Sequence, residues 1–295
     1  MRGPLAVRLD EVASAKVNLT LRVIGRRQDG YHEIESLVTF ADFGDRLRFS
    51  PGGGLRLTVR GSQAAAAGEH ENNLVLKAAR ALAALRPDLA LGAFRLDKRL
   101  PVAAGLGGGS ADAGAALRLI ARANGLAADD AALHAAAAAT GADVPVCLDP
   151  RTRIMRGIGE VLSAPLPLPS LPAVLVNPGA ALPTAEVFSR WTAAPAPAPS
   201  DLAAAATLKG RHELLRFLAT QRNDLETPAI ALRPVVAEVL TTLRALAGCQ
   251  LARMSGSGAT CFALFASRAA AREAVKILRN RFPLWWVRAA TLAGR

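Results

Sequence analysis

The chain has 295 residues, 51% of them apolar and 20% charged, and 36 Lys and Arg against 24 Asp and Glu leave a formal net charge of +12. That composition excludes wholesale disorder, and at about 150 residues per domain the length predicts two lobes. Aromatics make up only 4%, with Tyr31 the single tyrosine, so the core must rest on Ala, Leu and Val; the positive excess calls for an anionic partner, whether phosphate metabolite, nucleic acid or acidic membrane.

The opening segment to Asp10 carries a charge inside every candidate apolar stretch, so no signal peptide is expected, and no apolar run approaches the ~18 residues of a membrane span. Val17 to Val23 alternates as a strand with Val17, Leu19, Leu21 and Val23 on one face, followed by a turn at Gln28-Asp29-Gly30. Further strands are predicted over Ile34 to Phe43, Arg46 to Phe49, Leu55 to Val59 and Ala93 to Leu96. Asn72-Asn73 caps a helix that ends before Pro87. A second helix runs from Ser110 to about Asn124 and stops at Gly125, and a third runs from near Asp129 to Gly141. In the second half Arg153 to Met155 and Ala173 to Val176 read as strands, and Pro195 to Ser200 as a stiff loop. One long helix is expected within Asn223 to Gly248, with Pro228 in its first turn. Strand, tight loop and strand follow over Leu251 to Ala266, then a helix capped by Ser267 and a last strand from Trp285 to Leu292. Strands and helices mix without a regular βαβ period, which favours an α+β fold.

Cys147, Cys249 and Cys261 lack CxxC spacing and read as reduced, buried thiols, and the four histidines form no zinc motif, so no metal ligand is assigned. Asp42-Phe43-Gly44 spells the magnesium triplet of protein kinases, but no catalytic loop precedes it, and it reads as a strand end and turn. The informative segment is Gly105 to Ser110. Its glycines let backbone amides approach a ligand, and a helix starting at Ser110 aims its positive end there, which describes a phosphate site. No Lys-Ser/Thr follows, so it is not a Walker A loop, and no intact G-x-G-x-x-G starts within it.

Four segments together resemble the GHMP kinase superfamily: Ala15-Lys16-Val17-Asn18-Leu19 with Gly30-Tyr31-His32-Glu33-Ile34, Pro101 to Asp112, Gly141-Ala142-Asp143-Val144-Pro145, and Met254 to Thr260. Asn223 to Glu226 and Gly157 to Glu160 fit as connecting segments, so the resemblance covers essentially the whole chain. It implies an α+β, two-lobed fold, with an N-terminal lobe like domain 2 of ribosomal protein S5 over 1–155 and a ferredoxin-like α/β-plait lobe over 156–295. Substrates would meet in the cleft between them. The implied activity is ATP-dependent phosphorylation of the 2-hydroxyl of a cytidine-diphosphate-linked methylerythritol, a step of non-mevalonate isoprenoid synthesis. Asp143 is implied as the catalytic base and Lys16 as its positively charged partner. Pro101, Val102, Ala103, Ala104, Gly105, Leu106, Gly107, Gly108, Gly109, Ser110 and Ala111 would hold the ATP phosphates. Tyr31, His32 and Phe188 would grip the cytosine, and Asn18 would contact the substrate near the reacting hydroxyl. Mg²⁺ is expected with ATP; Ala111 stands where many members have a second hydroxyl, which leaves Ser110 alone on the loop and the metal's protein ligands unassigned. A cytoplasmic monomer or weak homodimer, without nucleic acid or membrane, is the expected setting.

Each residue also has a plainer reading. Asp143, two residues before Pro145, could cap a turn; Lys16 could be a solvated edge residue; Tyr31-His32 could be a hairpin shoulder. Phe188 would be buried by any amphipathic helix there, and Ser255 to Gly258 could be an ordinary hairpin. The rival functions are another GHMP kinase, for which Tyr31-His32 would have no cytosine to bind, and a basic RNA-binding protein. Dispersed Lys and Arg and the lack of an aromatic recognition motif count against the latter.

Overall fold

The computed structural model describes residues 9–67, 70–192, 202–208 and 210–293. The predicted stiff loop, Pro195 to Ser200, and most of the opening segment lie outside them. Strand β1 is Leu9–Asn18, β2 Arg22–Arg26, β3 His32–Pro51 and β4 Arg56–Arg60; helix α1 is Leu74–Leu85, followed by strand β5, Gly92–Asp97. Then come α2 Gly108–Asn124, α3 Ala131–Thr140, α4 Val144–Leu148, β6 Arg153–Gly157, β7 Val161–Leu162, β8 Leu171–Asn177 and α5 Thr184–Ser189. The chain continues through α6 Arg211–Thr220, α7 Glu226–Leu232, α8 Val235–Arg244, β9 Cys249–Met254, β10 Cys261–Phe265, α9 Arg268–Arg281 and β11 Trp286–Leu292.

Several expectations need correction. Val17 to Val23 is not one alternating strand: all seven residues are buried, and the chain leaves the strand at Leu19-Thr20. Polar Asn18 and Thr20 can be buried because each finds a partner, Ser36 Oγ for the Asn18 amide at 2.8 Å and the Leu37 N–H for Thr20 Oγ1 at 3.0 Å. Asp42-Phe43-Gly44 is no turn; it lies inside the single long β3. Gly44 is there for space, since a Cβ would run into the carbonyl of Ala13 and stand 2.8 Å from the Ser14 Cα. The long helix expected after Asn223 is two, α7 and α8, because Pro234 disfavours helical backbone at Arg233, which is extended and ends α7, and Pro234 itself has no N–H to continue the ladder. Helix α6 was not anticipated at all. Cys249 is only half-buried, whereas Cys147 and Cys261 are buried.

The contacts divide the chain into two interleaved units. The first comprises the described residues of 1–15, 43–102 and 107–150; the second, those of 16–42, 103–106 and 151–295. In the first, the C-terminal half of β3 pairs antiparallel with β5 from Arg46↔Asp97 to Pro51↔Gly92, and β4 joins β5 in parallel. Phe49 and Phe94 meet on the buried face with ring centroids 4.6 Å apart. Helix α1, capped by Asn73, turns Val75, Leu76, Ala78, Ala79 and Leu82 inward against α2 and α3. Gly114 lets α2 approach α4 closely, a Cβ there falling 2.5 Å from the Cys147 carbonyl oxygen, and Arg118 donates to that oxygen at 2.6 Å.

In the second unit β8, α8, β9, β10, α9 and β11 make a βαββαβ order, with α5, α6 and α7 inserted between β8 and α8. The strands lie in the order β11-β8-β10-β9, all antiparallel, which is the α/β-plait expected of this half. Every residue of β8 and β10 is buried, as central strands covered by helices require. β2 and β6 flank the N-terminal half of β3 in the same unit.

Candidate active site

The glycine loop is a strained connection that leads into an uncapped helix. Ala103, Gly105 and Gly107 all have positive φ, at 51°, 73° and 60°. Between them Ala104 and Leu106 are buried and anchor the loop by their side chains. Helix α2 begins at Gly108, two residues before the predicted start, and its cap residue Gly107 offers no side-chain hydrogen bond. Ser110 is therefore the third helical residue and not a cap. The first-turn amides have no side-chain oxygen on the cap residue to satisfy them, so the positive end of α2 stays available to an anion.

Residues 103–106 are held by the end of β1 and by the loop between β9 and β10. The Lys16 N–H donates to the Leu106 carbonyl at 2.9 Å, and the Thr260 N–H to the Ala104 carbonyl at 3.2 Å. Ser255 Oγ donates to the Gly105 carbonyl at 2.8 Å and accepts from the Asn18 N–H at 3.1 Å. Gly105 sits so close that a Cβ would run into the Ser255 carbonyl and stand 2.8 Å from the Gly258 nitrogen. Ser255 to Gly258 is thus the brace of the glycine loop, not a free hairpin. Lys16, only 4% exposed, is no solvated edge residue.

Asn18 has a defined polarity. Ser36 Oγ donates to the Thr20 carbonyl at 2.5 Å, so it must accept from Asn18 Nδ2. That leaves Asn18 Oδ1 buried without a partner, 3.4 Å from where a Cβ on Gly256 would stand. An acceptor in that state suits a hydroxyl donor and repels a phosphate oxygen.

Asp143 precedes α4 in the first unit, half-buried, and its carboxylate makes no capping bond to that helix. His32 and Phe188 come together with ring centroids 5.0 Å apart, and Trp191, absent from the sequence reading, meets His32 edge-on at 5.7 Å. Burial, aided by Arg26, holds the His32 pKa below the ordinary histidine value, which keeps the ring neutral at pH 7. Tyr31 is 59% exposed beside this cluster in sequence. Val187, rather than Phe188, is the fully buried residue of α5.

Sequence reading also missed the weight carried by Asn223. Its Nδ2 donates to the Met254 and Gly256 carbonyls, both at 2.8 Å, while Oδ1 accepts from the Leu225 N–H at 2.9 Å. One amide therefore fixes the loop that braces the glycine loop. Asn223→Ala is expected to cost about 2–3 kcal/mol of stability, read as a lower denaturant midpoint at unchanged slope. The hint in the sequence was Asn223-Asp224 followed by a helix; nothing local shows which carbonyls the amide serves.

A small-molecule kinase is the class of protein to which this fold, with a glycine loop ahead of an uncapped helix, belongs. The model of the GHMP kinases N terminal domain matches residues 73–149, and that of the GHMP kinases C terminal domain matches residues 203–284. The chain belongs to the GHMP kinases, and phosphoryl transfer from ATP is the chemistry that membership brings. It is 58% identical over 286 residues to the 4-diphosphocytidyl-2-C-methyl-D-erythritol kinase of Methylobacterium radiotolerans, covering 95% of this chain and 97% of the relative. It is 55% identical over 295 residues to the kinase of the same name from Rhodopseudomonas palustris, covering 98% of each. A crystal structure of 4-(cytidine 5'-diphospho)-2C-methyl-D-erythritol kinase superimposes with a TM-score of 0.79 at 34% identity, over 97% of this chain and all of the other. No helix among the described residues is long and apolar enough to cross a membrane.

Proposed function

We propose that this chain transfers the γ-phosphoryl group of ATP to the 2-hydroxyl of 4-diphosphocytidyl-2-C-methyl-D-erythritol, giving the 2-phosphate and ADP in non-mevalonate isoprenoid synthesis. The observation that carries the phosphoryl-transfer half is the glycine loop braced by Ser255 and Thr260 ahead of an uncapped α2. Relatives of that name matching nearly end to end support the substrate. The two lobes are taken as 1–155 and 156–295, each containing one of the family matches.

A hydroxyl is a poor nucleophile at neutral pH, so a carboxylate must take its proton as attack proceeds, and Asp143 is assigned that role. Lys16 supplies positive charge against the charge that builds on the transferred group. The loop of residues Pro101 to Ala111 holds the phosphates, through the backbone N–H groups at the start of α2, and in-line positioning supplies much of the remaining acceleration. Asn18 Oδ1 accepts from a substrate hydroxyl. Mg²⁺ enters with ATP: among the described residues no group of three His, Cys, Asp or Glu could hold it, and phosphates, water and the Ser110 hydroxyl suit it as ligands. The setting is a cytoplasmic monomer or weak homodimer, acting on small molecules and not on nucleic acid.

Tyr31, His32 and Phe188 read the cytosine, with the neutral His32 ring offering one donor and one acceptor. Phe188→Ala should raise KM for the cytidyl substrate roughly tenfold, as loss of one stacking contact of about 1–3 kcal/mol predicts, and leave KM for ATP within twofold. Tyr31→Ala should do the same to a smaller degree. Equal changes in both KM values would show that these rings serve only the fold. Steady-state ADP release with either substrate varied in turn makes the measurement.

A further inference from the structure

A buried charged cluster lies at the root of the glycine loop. Lys98, the residue after β5, donates from Nζ to Asp45 Oδ2 at 2.5 Å and to Asp112 Oδ2 at 2.7 Å. All three side chains are at most 6% exposed. Asp45 lies on β3, and its other oxygen accepts the N–H groups of Arg99 at 2.5 Å and Leu100 at 2.8 Å, immediately before the loop. Asp112 is the fifth residue of α2, immediately after the loop. The backbone of Lys98 is itself pinned, its N–H donating to the Arg60 carbonyl at 2.7 Å and its carbonyl accepting from the Gln63 N–H at 3.2 Å.

Core packing alone gives no reason to bury two carboxylates and one ammonium, which is costly and often no more stable than an apolar substitute. The cluster also leaves Asp112 Oδ1 without a partner. What it does accomplish is geometric. One ammonium joins the strand-side entrance of the loop to the first turns of the helix at its exit. The ammonium also faces the loop: Nζ is 3.3 Å from where a Cβ on Gly108 would stand, so any larger residue there would press on it.

We propose that Lys98 is a positioning residue for ATP, acting through Asp45 and Asp112 as a clasp that holds the two ends of the loop 99–111 at the spacing the phosphates require. The clasp rests on the reading of that loop as the phosphate site. Burial of Asp112 pushes its carboxyl well above the ordinary range, against the pull of Lys98, and the two carboxylates more than offset the cost of burying the Lys98 charge. The Asp112 direction is that of a carboxylate kept in place at a cost, and the Lys98 direction that of an ammonium held charged by its two partners.

Asp112→Ala is the clean variant, because it leaves Lys98 and Asp45 as a balanced pair and breaks only the link to α2. Lys98→Met breaks both links but leaves two buried carboxylates facing each other. The full-length protein is assayed for ADP release with ATP and cytidyl substrate varied in turn, and thermal melting is followed in parallel. Asp112→Ala is expected to raise KM for ATP about tenfold while KM for the cytidyl substrate stays within twofold. The Lys98→Met/Asp112→Ala double variant should be no worse for ATP than Lys98→Met, because both changes break the same link. A folded Asp112→Ala protein with unchanged KM for ATP, or one in which both KM values rise together, overturns the clasp. Gly107→Val, assayed alongside, separates the two readings. If it leaves ATP affinity unchanged, the loop is not the phosphate site; if it abolishes ATP affinity while Asp112→Ala does not alter it, only the clasp fails.

Discussion

Asp143→Asn is expected to lower kcat by roughly 10²- to 10⁴-fold, the range for removal of a positioned general base. Asparagine keeps the shape of the side chain but cannot accept the proton of the attacking hydroxyl. Because the Asp143 carboxylate does not cap α4, the helix loses no cap hydrogen bond in the change. The close seat of α4 at Gly114, and the Arg118 guanidinium on the Cys147 carbonyl, are left intact. Both KM values should therefore stay within about threefold, and kcat and kcat/KM should fall together, the signature of an interaction made only in the transition state. Single-turnover measurement of ADP formation checks the chemical step directly. A kcat within tenfold of the parent would remove Asp143 from the role of base and leave the phosphate loop as the main source of catalysis.

Gly105→Ala should have the second largest effect, by a different route. The residue has φ of 73°, where an L side chain costs about 1–2 kcal/mol. The added methyl would also meet the backbone of Ser255 and Gly258, which cannot swing aside as a side chain could. To make room, the hydrogen bonds from Ser255 Oγ to Gly105 and from the Thr260 N–H to Ala104 must lengthen or break, and the loop moves away from its brace. A displacement near 1 Å costs on the order of 10²-fold in rate, so kcat/KM for ATP should fall by about that factor. Stability should drop by about 2 kcal/mol, a lower melting temperature readable in the same preparation. Gly30→Ala serves as the comparison: its φ is also positive, at 87°, but no atom lies within 4 Å of the added methyl, so only the backbone strain remains and ATP kinetics should hold.

The two variants differ in what the fold contributes. In the proposed mechanism Asp143 acts through chemistry carried by one side chain, whereas Gly105 acts through the absence of one. The cluster at Lys98 is a third case, in which charge is buried to fix the ends of a loop whose middle is fixed by Ser255. Ser110, the lone hydroxyl on that loop, is part of the helix it was expected to cap, so the proposed anion site would be made from backbone amides ahead of it.

Much of this was legible in the sequence because it depends on neighbours along the chain. Helix α1 with its Asn73 cap and α9 with Ser267 follow from side chains that bond amides two or three residues on, and from apolar residues recurring every third or fourth position. The glycine loop announced itself because positive φ and close backbone approach both demand glycine locally. The order of motifs over the whole chain was enough to resemble a family. Tertiary structure alone decided what depends on residues far apart. Val17 to Val23 alternates in sequence yet is buried on both sides, since Asn18 and Thr20 are satisfied by Ser36 and Leu37. Gly44 looked like a turn because a strand rarely wants glycine, and only the approach of Ala13 explains it. Asn223, Ser255 and Lys98 are ordinary polar residues until their carbonyls and carboxylates arrive from elsewhere in the fold. A single sequence records the preference of each residue for its own backbone; it does not record which buried polar group another residue will be required to satisfy.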